Sequence, residues 1–261
     1  MVDSEGGSGG AGRAGRGGGS PPSADEATLA ALRECGHAEL VQRLEEATSM
    51  DVPRARAVLR NPHADADCIA RLAEFRNLHS AYEFRRDVVL HRKSPPMLAA
   101  RFLPALYWRD LARVGSSVAL RPALRRGSDQ LVLQRLPRLT LGEQIALSRI
   151  AGVGLLAELG RSPQPRVVGA LLENPRLTEG VVLRIVSSTS TSAAILELVA
   201  GSRWGARYPV RRALCRNPRT PLQRALSLVA TLRKVDQRAL VGDASVPQAV
   251  RRRARLLSQG R

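Results

Sequence analysis

Apolar residues recur at three- and four-residue spacings along most of this chain. Leu222, Ala225, Leu226, Leu228, Val229 and Leu232 are a clear instance, and that period belongs to a helix with one buried stripe. No convincing two-residue alternation occurs, so the pattern predicts an all-α fold. The stripes end in a recurring signal: Ala57-Val58-Leu59-Arg60-Asn61-Pro62, Ala170-Leu171-Leu172-Glu173-Asn174-Pro175 and Ala213-Leu214-Cys215-Arg216-Asn217-Pro218. An apolar tail, a residue tolerant of left-handed geometry and a proline together stop a helix. Three copies of one stop signal predict a repeat protein.

Two further marks divide the chain. Pro53, Pro122, Pro165, Pro209 and Pro247 stand where a helix should open, because the first helical turn does not need the donor that proline lacks. Arginines follow several of them. The second mark is a turn leading into a helix begun by a capping residue: Ala64-Asp65, Ser94-Pro95, Thr140 to Glu143, Thr178-Glu179 and Thr220-Pro221. These lie 30, 46, 38 and 42 residues apart, which fits degenerate units of about 40 residues with two or three helices each. Residues 1–22 are rich in Gly and read as a disordered tail. Ser23-Ala24-Asp25-Glu26 is a capping-box pattern that opens an acidic cap over 23–50, two short helices broken near Gly36. The repeats then run over 51–258.

A basic-apolar helix, Asn-Pro-x-x-Thr/Pro and a Leu-rich helix resemble the HEAT-like and leucine-rich-repeat-variant α-solenoids. The likeness spans roughly 50–258, is clearest over 163–235 and is poor over 84–135, which stays open between a degenerate repeat and an insertion. It implies a right-handed superhelical solenoid and little about activity. Variant-repeat proteins are associated with an N-terminal iron–sulfur segment. Only Cys35 lies near that end here, so no cluster is carried over and no cofactor is expected.

Charge changes this picture more than composition does. The chain of 261 residues carries a formal charge of +18, which points to acidic partners. Only Lys93 and Lys234 of its 41 basic residues are lysine, a bias that genome composition alone can produce. Position is more telling: residues 1–50 hold four basic and eight acidic side chains, whereas the last 61 hold 15 basic and two acidic, Asp236 and Asp243. Internal pairing cannot neutralise such an imbalance. Cys35, Cys68 and Cys215 form no C-x-x-C, and Cys68 and Cys215 fall in apolar helical runs as core residues. The N-terminus has no apolar segment of a signal peptide and no run is long enough to span a membrane, so a cytoplasmic setting is expected.

Candidate chemistry reduces to arginine and tryptophan. Arg125, Arg126, Arg166, Arg211, Arg212, Arg216, Arg251, Arg252 and Arg253 would return to one face of a superhelix and contact a partner or phosphates. Against this stands the plain alternative of arginine stems covering apolar helix faces. Trp108 and Trp204, both beside arginine, would either stack on a partner or fill gaps between units. Some HEAT-like DNA glycosylases combine aromatics and a carboxylate in a basic groove; Asp110 beside Trp108 is similar in residue type only. No catalytic set is found: the four histidines are scattered, Asp65 in His63-Ala64-Asp65-Ala66-Asp67 reads as a helix cap rather than a metal ligand, and Gly152-Val153-Gly154 reads as a helix-ending turn. The expectation is a non-enzymatic scaffold for an acidic protein partner, with nucleic-acid binding as the alternative. The acidic helices of 23–47 could also fold over the basic C-terminus as a lid. Partner identity and oligomeric state are not encoded legibly.

Overall fold

A computed structural model describes residues 24–259; the tail and Ser23 of the capping-box pattern lie outside them. Every regular element among the described residues is helical. In order they are α1 (Ala24–Glu34), α2 (His37–Glu46), α3 (Val52–Arg60), α4 (Ala66–Leu72), α5 (Tyr82–Leu90), α6 (Pro96–Phe102), α7 (Trp108–Ser116), α8 (Pro122–Arg135) and α9 (Leu141–Ile150). There follow α10 (Val153–Leu159), α11 (Pro165–Leu172), α12 (Glu179–Ser187), α13 (Ala193–Gly201), α14 (Tyr208–Arg216), α15 (Leu222–Val229), α16 (Lys234–Gly242) and α17 (Gln248–Gln259). Short 3-10 turns precede α5, α7, α9 and α14.

Local chemistry sets these boundaries. Proline occupies the first turn of α3, α8, α11 and α14. Asp65 caps α4 by accepting from the Cys68 amide, and Thr140 and Glu143 form a reciprocal capping box on α9. Gly152 both follows α9 and caps α10, so Gly152-Val153-Gly154 opens a helix as well as ending one. Three expected hydroxyl caps behave otherwise. Thr178 holds the cap position of α12 without a side-chain cap hydrogen bond. Thr220 turns back to donate to the Leu214 carbonyl at 2.7 Å, and Ser94 is buried with its hydroxyl unpartnered; Pro95 and Pro221 occupy the cap positions instead.

Consecutive helices pair, as α5 with α6, α7 with α8, α14 with α15 and α16 with α17, and helices also pack on their next-but-one neighbours. α1, α3, α5, α7, α9, α11 and α13 follow one another side by side; α2 packs on α4, α6 on α8, α8 on α10, α12 on α14 and α15 on α17. The acidic helices α1 and α2 therefore lie against α3 and α4, which removes the physical basis for a lid over the C-terminus. Leu, Val and Ala fill a core that runs continuously from Leu32 to Leu214. A smaller one around Cys215, Val229, Leu240, Val250 and Ala254 completes the C-terminal end. Leu222, part of the sequence stripe, stands 46% exposed in the first turn of α15.

The asparagine stop signal is a clamp between helices. The Asn61 amide nitrogen donates to the Leu32 and Cys35 carbonyls at 3.0 and 2.9 Å. That of Asn174 reaches Ser148 and Ala151 at 2.8 and 3.2 Å, and that of Asn217 reaches Val186 and Ser188 at 2.7 and 2.9 Å. Each thus satisfies carbonyls left open at the end of an earlier helix. Meanwhile each side-chain oxygen accepts from the amide two residues on, at His63, Arg176 and Arg219. All three asparagines are buried. His91, Ser188 and Asp243 perform the second half of this task, accepting from the amides of Lys93, Ser190 and Ser245.

Two predictions follow from this geometry. Asn217→Ala strands two carbonyls and one amide, and should lower unfolding free energy in urea by about 2–4 kcal/mol, against a near-neutral change for the exposed Gln223→Ala. His91 accepts through Nδ1, and burial first, then Lys93 and Arg92, depress its pKa below 6.5. The unfolded chain then binds the proton more readily, so the stability this imidazole supports is present above about pH 6.5 and declines as pH falls through the folded value. His91→Asn should keep the turn and flatten the fall in urea midpoint between pH 7 and 5.

Candidate anion-binding surface

Part of the positive charge is spent inside the fold. Lys93, two residues beyond His91, sends its Nζ to the Pro62 and Ala64 carbonyls of the preceding turn at 3.0 and 2.8 Å. Arg219, two beyond Asn217, reaches Ser190 in the same manner. Arg135 binds the Leu106 and Pro104 carbonyls, and Arg203 approaches Asn174. Cations placed on helix-end carbonyls stabilise them, so these residues brace successive turns.

Two stretches share a second device. The Tyr82 hydroxyl donates to Asp110 and accepts from the Tyr107 amide at 3.2 Å. The Tyr208 hydroxyl donates to Asp236 and accepts from the Arg233 amide at 3.1 Å. The separations are 28 and 25 residues in both. Burial and the Asp110 carboxylate push the Tyr82 pKa up to about 12, which keeps the phenol a donor at neutral pH. In the same register, without insertion or deletion, Arg85-Arg86 matches Arg211-Arg212, His91 matches Asn217, Pro95 matches Pro221 and Arg125-Arg126 matches Arg251-Arg252. The Nε atoms of Arg85, Arg125, Arg211 and Arg251 are all buried without a hydrogen-bond partner. Arg85 and Arg86 are the basic residues that sequence reasoning missed; the signal was Tyr-x-x-Arg-Arg, present at 82 and again at 208.

Asp110 also matches Asp236, but the other acids do not match. Glu83, Asp87 and Asp129 have Pro209, Ala213 and Arg255 as counterparts, although Asp243 takes the place of Ser117. Asp87 holds Arg56 at 2.7 Å and Arg86 at 2.8 Å. Asp129 sits close against Gly115 and Gly154, where an added Cβ would fall 2.3 and 2.1 Å from its carboxylate oxygens. Burial raises its pKa, and Arg125 opposes the rise. In the C-terminal stretch Arg212 pairs with Asp236 at 3.1 Å. Asp243 is held in its low-pKa state first by Ser245, then by the charges of Arg216 and Arg251. Among the described residues, Arg211, Arg216, Arg251, Arg252, Arg253 and Arg255 make no ion pair.

Two clefts collect Arg216, Arg251, Arg252 and Arg255, while Arg211 and Arg253 line neither. One, of about 530 Å³, is lined by Ser187, Thr189, Arg212, Arg216, Asp243 and Ser245, among others; one of about 620 Å³ is lined by Arg251, Arg252 and Arg255 with Val241, Gln248 and Ala249. The charges of Arg216 on α14 and Arg251 on α17 both act on Asp243 without pairing with it. The other members of the sequence ladder are elsewhere: Arg125 and Arg126 on α8, which packs on α6, α7 and α10, and Arg166, exposed, on α11. The tryptophans are occupied. Trp204 is 8% exposed and donates to the Leu172 carbonyl at 3.1 Å; half-buried Trp108 donates to Glu143 at 3.0 Å. Arg203 and Arg109 lie over their rings, while Arg211 and Arg233 both lie over Tyr208. Asp110 is engaged by Tyr82. No helix among the described residues is long and apolar enough to cross a membrane. No protein-family model matches the chain, and neither a curated protein nor a solved structure does.

Proposed function

We propose that the chain is a HEAT-like α-solenoid serving as a non-enzymatic scaffold, and that it holds an acidic protein partner against the arginines of α14 and α17. Next-but-one packing and the matched stretches 82–129 and 208–255 support the repeat reading, with 84–135 as a diverged unit rather than an insertion. The observation that carries the function is the loss of acid beside retained cations. Arg85, Arg86, Lys93, Arg125 and Arg126 have Arg211, Arg212, Arg219, Arg251 and Arg252 as counterparts, while Asp87 and Asp129 give way to Ala213 and Arg255. Genome-wide arginine bias does not remove carboxylates from matched positions. Arg216, Arg251, Arg252 and Arg255, which make no ion pair among the described residues and line the two clefts, would take the carboxylates of such a partner.

Nucleic acid is the second reading, favoured by the same uncompensated charge. Both tryptophans are turned to packing and hydrogen bonding within the fold, which argues for a protein partner over base stacking. The test compares wild type with Arg216→Glu/Arg251→Glu in nuclease-treated affinity capture and in fluorescence anisotropy with DNA and RNA, single- and double-stranded. The expected outcome is a nuclease-resistant protein captured by wild type and lost by the variant, with nucleic-acid binding gone near 150 mM salt. Submicromolar nucleic-acid binding at that salt, with a steep log–log slope flattened by the variant, would establish the second reading instead.

A further inference from the structure

At the acidic end, far in sequence from the arginine clefts, three different metal-ligating side chains meet. His37 opens α2, Asp65 caps α4 and Cys68 lies in the first turn of α4; one donor atom from each falls within 4.8 Å of the others. The His37 Nε2 is 3.6 Å from an Asp65 carboxylate oxygen. The other Asp65 oxygen accepts from the Cys68 amide at 2.9 Å, so capping leaves one oxygen available. The His37 Nδ1 lies 3.2 Å from the His63 carbonyl. A carbonyl only accepts, so Nδ1 carries a proton, and Nε2 is the ring nitrogen that faces Asp65 and Cys68. That outer hydrogen bond is the means by which proteins orient a ligating imidazole.

We propose that His37, Asp65 and Cys68 bind a divalent transition-metal ion of the zinc class, tying the start of α2 to the start of α4. Nitrogen, carboxylate oxygen and thiolate sulfur at metal distances of about 2.0–2.3 Å are a zinc donor set, and three protein ligands leave a fourth position for water. The separations must contract by roughly an ångström to reach those distances. His37, with its side chain 51% exposed, has the rotamer freedom to do this. Asp65 is 39% exposed, giving the ion an entry path, while Cys68 is 2% exposed and forms the floor. On binding, Cys68 releases its thiol proton to solvent, because the thiolate is the ligand, so affinity must rise with pH. The two thiols outside the set, Cys35 and Cys215, are buried and provide controls.

The experiment adds Co²⁺ and Zn²⁺ to the full chain, reading cobalt absorption and zinc calorimetry. One ion per chain is expected, with a near-ultraviolet thiolate-to-cobalt band and visible bands of a four-coordinate site that zinc abolishes. His37→Ala, on the surface, and Asp65→Asn, which retains a capping side chain, should each weaken zinc binding by at least about tenfold. Cys68→Ser should remove the near-ultraviolet band and Cys35→Ser should keep it. Absence of the thiolate band in wild type, or unchanged zinc affinity in His37→Ala, overturns the proposal.

Discussion

A buried primary amide at a helix end governs this fold. A helix leaves its last carbonyls without intrahelical partners, and packing short helices side by side removes them from water, where an unmet acceptor is costly. Asparagine solves both sides of the problem at once. Its oxygen closes the local turn on the amide two residues on, and its two-donor nitrogen serves the carbonyls of an earlier helix. Serine, histidine and aspartate in the corresponding turns hold the first bond. A cation reaching the preceding turn adds a brace, with Lys93 in the histidine turn and Arg219 beside the Asn217 clamp itself.

That division of labour changes how the positive charge is counted. Arginine and lysine on turn carbonyls are structural, and their charge implies no ligand. What remains is positional: a C-terminal unit whose acids are consumed by Tyr208, Arg212 and Ser245 and whose other carboxylate positions hold Pro209, Ala213 and Arg255. The distinction rests on comparing matched positions within one chain, which controls for composition because both stretches share the same bias.

The sequence made the punctuation legible because each sign is a local steric or hydrogen-bond rule: proline in the first turn, Asp65 and Thr140 as caps, asparagine before proline at the stops. It hid what depends on a partner far along the chain. The likeness of 82–129 to 208–255 was obscured because apolar positions differ, Phe84 against Val210 and Val89 against Cys215, and because His91 stands where the stop signal would have asparagine. Of the candidate arginines, Arg212 and Arg216 of α14 line one cleft and Arg251 and Arg252 of α17 line another, whereas Arg125, Arg126 and Arg166 lie on other helices, since helices of unequal spacing do not return equivalent positions to one place. The tryptophans could not be assigned from sequence: whether an indole nitrogen meets Glu143 or a backbone carbonyl is settled only by the neighbouring helices.

The clamp and the proposed metal site are one construction at the N-terminal end. Asn61 fixes the His63 amide through its side-chain oxygen and the end of α1, at Cys35, through its nitrogen. His63 then offers the carbonyl that orients His37, two residues beyond Cys35. The same amide therefore sets the distance between the two backbone segments that carry His37 and Asp65. A clamp that satisfies carbonyls elsewhere here also pre-positions ligands, so the entropy of bringing α2 to α4 is already met by folding. A disturbance of Asn61 would reach the metal donors without touching any of them.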